Sequence, residues 1–111
     1  VRQNHSLQIC MEMKLPNLPL QTTHQLYSIA KEGLTNIQKH ASASQVTLRG
    51  ETRFNNIVLE IIDNGIGFNP DSPHAGFGLK GMQERVDVLA GEMIIKSRET
   101  KGTCIQVLIP F

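Results

Sequence analysis

No charge of one sign dominates this chain: eleven lysines and arginines meet ten aspartates and glutamates, for a formal net charge of +1. That balance excludes the one-sided basic footprint of a nucleic-acid binder and any long-range attraction to a bilayer. No apolar run approaches membrane-spanning length, and the N-terminus carries no signal-peptide pattern. Repeats and low-complexity segments are absent. Cysteine is scarce. Cys10 and Cys104 stand near opposite ends without metal-ligand spacing, which argues against zinc and for reduced thiols in a cytosolic protein, although spacing alone leaves one disulfide open. The 111 residues are 40% hydrophobic and 19% charged, an ordinary globular composition that fills one compact domain over 1–111 and no second. A first residue of valine, not methionine, is expected of a piece of something longer.

Apolar periodicity gives the elements. Leu7, Ile9, Met11 and Met13 alternate with period two, as in a half-buried strand ending before Pro16. From Thr22 to His40 the period becomes helical, with Leu26, Ile29, Ala30, Gly33 and Ile37 on one face and Thr22 or Thr23 as N-cap. Val46 and Leu48, then Ile57 to Ile62, read as a strand pair. Asn64 to Gly76 is rich in Gly, Asn and Pro and reads as a surface loop with a function. Leu79, Met82, Val86 and Leu89 define a second helix within Phe77 to Ala90, with Gly91 at the position of a left-handed C-cap. Met93 to Ile95, a turn at Lys101-Gly102, and Ile105, Val107 and Ile109 complete two further strands. This order predicts an α+β two-layer sandwich, one sheet with its helices packed on one face.

Three clusters depart from ordinary core and surface. On the long helix, Glu32, Asn36, Lys39 and His40 form one polar stripe bordering the apolar face. Glu32 and Asn36, one turn apart, offer hard oxygen donors or water anchors that suit Mg²⁺, which keeps several waters and meets a phosphate. The plain alternative is a solvated helix face with local pairing. At the end of the most apolar strand comes Asp63-Asn64-Gly65-Ile66-Gly67. An Asn-Gly hairpin is the simpler reading, but Phe68-Asn69-Pro70 continues as loop and no alternating strand returns. A carboxylate there, beside glycines that let backbone approach a flat ligand, can accept a hydrogen bond from an exocyclic amine such as adenine's.

The third cluster, Gly76-Phe77-Gly78-Leu79-Lys80-Gly81, opens the second helix, where free backbone N–H groups and the helix dipole attract phosphate. Its letters match G-x-G-x-x-G, but a loop with Pro70, Pro73 and His74 precedes it in place of a strand, which rules out the dinucleotide fold. A glycine-capped helix start is the structural alternative. No G-x-x-x-x-G-K-[ST] occurs, so there is no P-loop. Gly102-Thr103, before the last strand, adds a hydroxyl that could reach a base or a bound water.

In this order the motifs resemble the ATP-binding domain of bacterial two-component sensor histidine kinases, within the ATPase superfamily that includes DNA gyrase and MutL. Glu32 to Ala41 resembles the N box. Asp63 to Gly67, Gly76 to Leu79, and Gly102-Thr103 resemble its three glycine boxes. Lys39-His40-Ala41, the short loop and Gly78 to Arg85 are most similar to the nitrate-sensor and DesK type. The resemblance implies a Bergerat-type mixed sheet with helices on one face. It implies that Asn36 coordinates Mg²⁺ and that Glu32 holds a metal-bound water or assists proton removal. It further implies that Lys39 and His40 face the phosphates, Asp63 accepts the adenine amine, and Gly65 and Gly67 pass the ring. Gly76, Gly78 and the neighbouring backbone at Leu79 would cover the phosphates, and Thr103 would complete the base pocket.

In that family the phosphate acceptor is a histidine on a separate dimerising helix, usually followed by an acidic residue. His5, His24, His40 and His74 precede Ser6, Gln25, Ala41 and Ala75, so none fits. A phenylalanine-rich box between Asn69 and Gly76 is also not evident, as expected of the short-loop subgroup. The implied function is therefore the catalytic half of a cytoplasmic kinase domain, whose parent chain could be membrane-anchored. It binds Mg²⁺-ATP and donates the γ-phosphoryl to a partner dimerisation and phosphoacceptor domain, with a response regulator downstream. The loop from Phe68 to Ala75 would act as a lid. An anti-sigma-factor-type serine kinase and a non-catalytic nucleotide sensor are the alternatives.

Overall fold

The segments with period-two patterning pair into one sheet, and the two with helical spacing lie over one of its faces. A computed structural model describes residues 8–40, 43–65, 76–98 and 102–110. The elements are β1 (Gln8–Met13), α1 (Leu20–His40), β2 (Gln45–Arg53), β3 (Asn56–Asp63), α2 (Gly76–Val88), β4 (Glu92–Arg98) and β5 (Gly102–Pro110). The strand order is β1-β2-β3-β5-β4. β1 runs parallel to β2, and the other neighbours are antiparallel, so the sheet is mixed, as the resemblance implies.

Alternate residues of the central strands face the helices and form the core. Val46 and Leu48 of β2, Ile57, Leu59 and Ile61 of β3, and Ile105, Val107 and Ile109 of β5 pack with Leu26, Ile29 and Ile37 of α1 and Met82 and Val86 of α2. Each fully buried aliphatic side chain contributes about 1.5–3 kcal/mol relative to exposure. Gly33 lets α1 settle onto this layer: a Cβ there would lie 2.5 Å from Ile61 Cδ1 and 3.6 Å from Met82 Cε. It thereby brings the middle of α1 to the junction of β3 and α2.

β1 is a strand as its alternation predicts, but it is not half-buried. All six residues are exposed. Its register places Ile9, Met11 and Met13 beside Val46, Leu48 and Gly50, on the helix-bearing face. The strand is the sheet's edge, whereas α1 lies over β2 and β3, so the apolar side chains of β1 extend past the helical layer. On the opposite face Arg49 bridges Glu12 at 3.5 Å and Glu60 at 3.6 Å, linking β1, β2 and β3.

The helix ends also differ from the sequence expectation. α1 begins at Leu20, and the Thr23 N–H donates to the Pro19 carbonyl at 3.0 Å, so Thr22 and Thr23 lie inside the first turn and Pro19 precedes it. α2 ends in a Schellman motif: the Gly91 N–H donates to Val86 O at 3.0 Å and the Ala90 N–H to Asp87 O at 2.9 Å. The left-handed residue is Ala90, at φ 56°, not Gly91. Gly91 is needed for a different reason, because a Cβ there would lie 2.5 Å from the Leu108 carbonyl oxygen of β5. An alanine in the left-handed region costs about 1 kcal/mol or more. Ala90→Gly is therefore expected to stabilise the fold by roughly 0.5–1 kcal/mol, read as a higher thermal midpoint.

The disulfide left open by spacing does not form. Cys10 pairs with Thr47, Thr47 with Ile62, and Ile62 with Cys104, placing the cysteines roughly 14 Å apart across the sheet at ~4.8 Å per strand. A disulfide spans less than about 7 Å between Cα atoms, and both thiols are free.

Candidate functional site

β3 is the most apolar strand, and its inward-facing row Ile57, Leu59 and Ile61 ends in Asp63, a carboxylate on the core side of the sheet. Asp63 is only 6% exposed. It pairs with Val46 on one side and Thr103 on the other. The Gly65 N–H donates to its Oδ1 at 2.7 Å, and the Thr103 backbone N–H also bonds the carboxylate. Burial pushes its pKa above the ordinary aspartate value, and the two N–H bonds oppose that rise. The result is a buried acceptor oriented by two backbone N–H groups.

The backbone around Asp63 is shaped by Gly102. This glycine begins β5 at φ 86°, and a Cβ on it would run into the Asp63 carbonyl oxygen. β5 can start beside the carboxylate only because residue 102 has no side chain. Thr103, next in line, is 5% exposed.

On the other side of the junction, Glu32 and Asn36 are half-buried and one turn apart on α1. Glu32 faces α2: a Cβ built on Gly81 would lie 3.5 Å from Glu32 Oε1. Gly76 and Gly78 form the opening turn of α2, and Leu79 is half-buried against the core. The structure thus brings Asp63, Gly65 and Thr103 into direct contact, and Glu32 together with the α2 glycine segment. Lys39 and His40 occupy the last turn of α1. Gly67 and the expected lid from Phe68 to Ala75 lie outside the described residues.

The donor set fits Mg²⁺ in kind. Among the described residues no group of three or more His, Cys, Asp or Glu could enclose a metal. A carboxylate and a carboxamide on one helix face instead offer a partial shell of hard oxygens, which suits an ion that keeps waters and binds phosphate oxygens. Sequence reasoning missed one feature of the site, the side chain of Asn64. Its carboxamide bonds Ser44 and Gln45, 20 and 19 residues earlier, and no local signal connects them.

The chain is thus an α+β domain whose mixed sheet carries a buried carboxylate at the end of a central strand, with the helix bearing Glu32 and Asn36 packed against the glycine-opened α2. Residues 21–111 match the family of histidine kinase-, DNA gyrase B- and HSP90-like ATPases, and the chain belongs to it. It is 46% identical over 85 residues to the signal transduction histidine-protein kinase/phosphatase UhpB of Salmonella typhimurium, covering 77% of this chain and 17% of that protein. It is 37% identical over 89 residues to DegS of Bacillus subtilis, also a histidine-protein kinase/phosphatase, covering 77% and 23%. The chain therefore spans less than a quarter of either relative's length. Among solved structures, the histidine kinase domain of the Erythrobacter litoralis EL346 blue-light activated kinase superposes with a TM-score of 0.82 at 21% identity, over 96% of this chain and 52% of that one. The Acinetobacter baumannii histidine kinase AdeS gives 0.78 at 16% identity, over 96% and 55%. These last two share the fold.

Proposed function

We propose that residues 1–111 form the ATP-binding catalytic domain of a two-component sensor kinase, which binds Mg²⁺-ATP and presents the γ-phosphoryl to a histidine on a dimerisation and phosphoacceptor domain. A response regulator would take the phosphoryl from that histidine. The observation that carries the reading is Asp63, buried at the end of β3 and held by the N–H groups of Gly65 and Thr103. In this reading Asp63 accepts the adenine amine, Gly65 and Gly67 let the chain pass the ring, and Thr103 closes the base pocket. Gly76, Gly78 and Leu79 bring the start of α2 over the phosphates, where its free N–H groups face negative charge. Lys39 and His40 add charge at the end of α1. Asn36 would hold Mg²⁺, whose chemistry is to neutralise phosphate charge, and Glu32 would orient a bound water or take a proton. Catalysis then consists of positioning and charge neutralisation.

We place the domain in the cytoplasm, where ATP is available. Among the described residues no helix is long and apolar enough to cross a membrane.

The test supplies the chain with ATP, Mg²⁺ and a phosphoacceptor helix and follows the chemical stability of the transferred phosphate. An acid-labile phosphohistidine is expected. An acid-stable phosphoserine on a partner would instead indicate an anti-sigma-factor-type kinase, and nucleotide binding without transfer would indicate a sensor. Failure of the folded chain to bind ATP would remove the reading.

The state of Asp63 adds a pH dependence. ATP affinity is expected to fall on acidification, beginning above the pH at which an ordinary aspartate protonates, because the raised pKa makes Asp63 neutral sooner. Fold stability moves the other way. The folded carboxyl holds its proton more tightly than the unfolded one, so its contribution is most favourable below the unfolded pKa and declines as pH rises through the folded one. Calorimetric titration across pH checks the first expectation, and thermal melts check the second.

A further inference from the structure

Asp63 closes β3 just before the turn, and its carboxylate must be held in place for base recognition to be selective. Asn64 supplies a tether. Its Oδ1 accepts the backbone N–H groups of Ser44 and Gln45, both at 3.0 Å, and its Nδ2 donates to Ser44 Oγ at 3.0 Å. Its own N–H donates to the Gln45 carbonyl at 3.2 Å. Ser44 is itself fixed from the other side, because its carbonyl accepts the Gln8 N–H of β1 at 3.0 Å. Ser44 and Gln45 belong to the stretch that carries the chain from the end of α1 into β2. One carboxamide therefore joins the Asp63 turn to the segment leaving the helix that bears Glu32 and Asn36.

These bonds are exposed, so water can replace each of them when the carboxamide is removed, and the fold loses little. Position is not replaced. Asp63 lies one bond upstream of Asn64, and a recognition group must be held to within about half an ångström to discriminate between ligands. We propose that Asn64 is a positioning residue: by fastening the Asp63 turn to the α1–β2 segment, it sets how tightly and how selectively the site takes adenine. This rests on the assignment of Asp63 to the base.

The experiment titrates ADP and GDP into the parent chain and into Asn64→Ala, Asn64→Asp, Ser44→Ala and Asp63→Asn, with a thermal melt of each without nucleotide. Asn64→Ala is expected to lower ADP affinity roughly tenfold and to shrink the preference for ADP over GDP by a similar factor, as a displaced recognition group does. Its melting temperature should stay within a few degrees of the parent. Asn64→Asp keeps the acceptor for both N–H groups, and the Ser44 hydroxyl can rotate to donate to it, so affinity should recover to within about threefold. Ser44→Ala, which loses only the hydroxyl partner, should fall between the two. An unchanged purine preference in Asn64→Ala overturns the proposal, whether affinity is retained or falls in step with the melting temperature. Should Asn64→Ala not fold, Asn64→Ser, with a shorter acceptor, is read by the same preference ratio. If Asp63→Asn alone leaves ADP affinity intact, the base assignment fails and the proposal falls with it. If Asp63→Asn weakens binding and Asn64→Ala does not change the preference, only the tether is wrong.

Discussion

Asp63→Asn is expected to weaken ATP binding at least tenfold and to collapse the preference for ATP over GTP. The carboxylate is buried and already oriented by the Gly65 and Thr103 N–H groups, so a base amine arriving there meets an acceptor that needs no reorganisation. A hydrogen bond to a charged group contributes about 1.5–3 kcal/mol, which corresponds to roughly tenfold to 150-fold in affinity. Guanine would set a carbonyl oxygen against the carboxylate and leave both unpaired, at a cost of roughly 1–3 kcal/mol or more. The asparagine amide reverses that second term, since its NH2 can donate to the guanine oxygen. GTP should therefore gain as ATP loses. Calorimetric titration with both nucleotides measures the two effects, and a thermal melt of the unliganded variant separates them from a loss of fold. Unchanged ATP affinity would take Asp63 out of base recognition.

What the sequence made legible follows from the range over which each signal acts. The order of elements was readable because period-two and helical patterning are local, and β2, β3, α2 and β5 lie within a residue or a few of their expected positions. Burial was not readable for β1. Alternation in Ile9, Met11 and Met13 reports a face, but whether a helix covers that face depends on where α1 crosses the sheet, a long-range matter. The end of α2 shows a different confusion. A glycine after a helix suggests a left-handed cap, yet Gly91 is required by the approach of the Leu108 carbonyl, and Ala90 carries the left-handed turn. Of the candidate site, the motif residues can be named from the sequence because their spacing is itself the signal, while their roles remain the proposal above. The Asn64 tether was not, because Ser44 and Gln45 meet it only after β2 and β3 have paired.

Gly102→Ala should be more damaging than a methyl group added at Gly33, Gly50, Gly81 or Gly91. Residue 102 sits at φ 86°, and its Cβ would collide with the Asp63 carbonyl oxygen, with the Asp63 carbonyl carbon at 3.1 Å and Asn64 Cα at 3.2 Å. Every one of those atoms is backbone, so no side-chain rotation relieves the clash. Backbone strain of about 1–3 kcal/mol and overpacking of about 1–3 kcal/mol combine to a loss of roughly 2–6 kcal/mol. At about 4–8 °C per kcal/mol for a domain of this size, the midpoint should drop by roughly 10 °C or more. The displaced atoms also carry the carboxylate and the tethered turn, so nucleotide affinity should fall even at temperatures where the variant is fully folded. Gly81→Ala provides the contrast. Its Cβ would meet Glu32 Oε1 at 3.5 Å, an ordinary contact, on a helix where alanine is favoured over glycine by about 1 kcal/mol. A variant at 102 that melts like the parent and binds ATP equally well would show that β5 can begin farther from Asp63. The glycine would then be a feature of the strand's start, without a part in shaping the site.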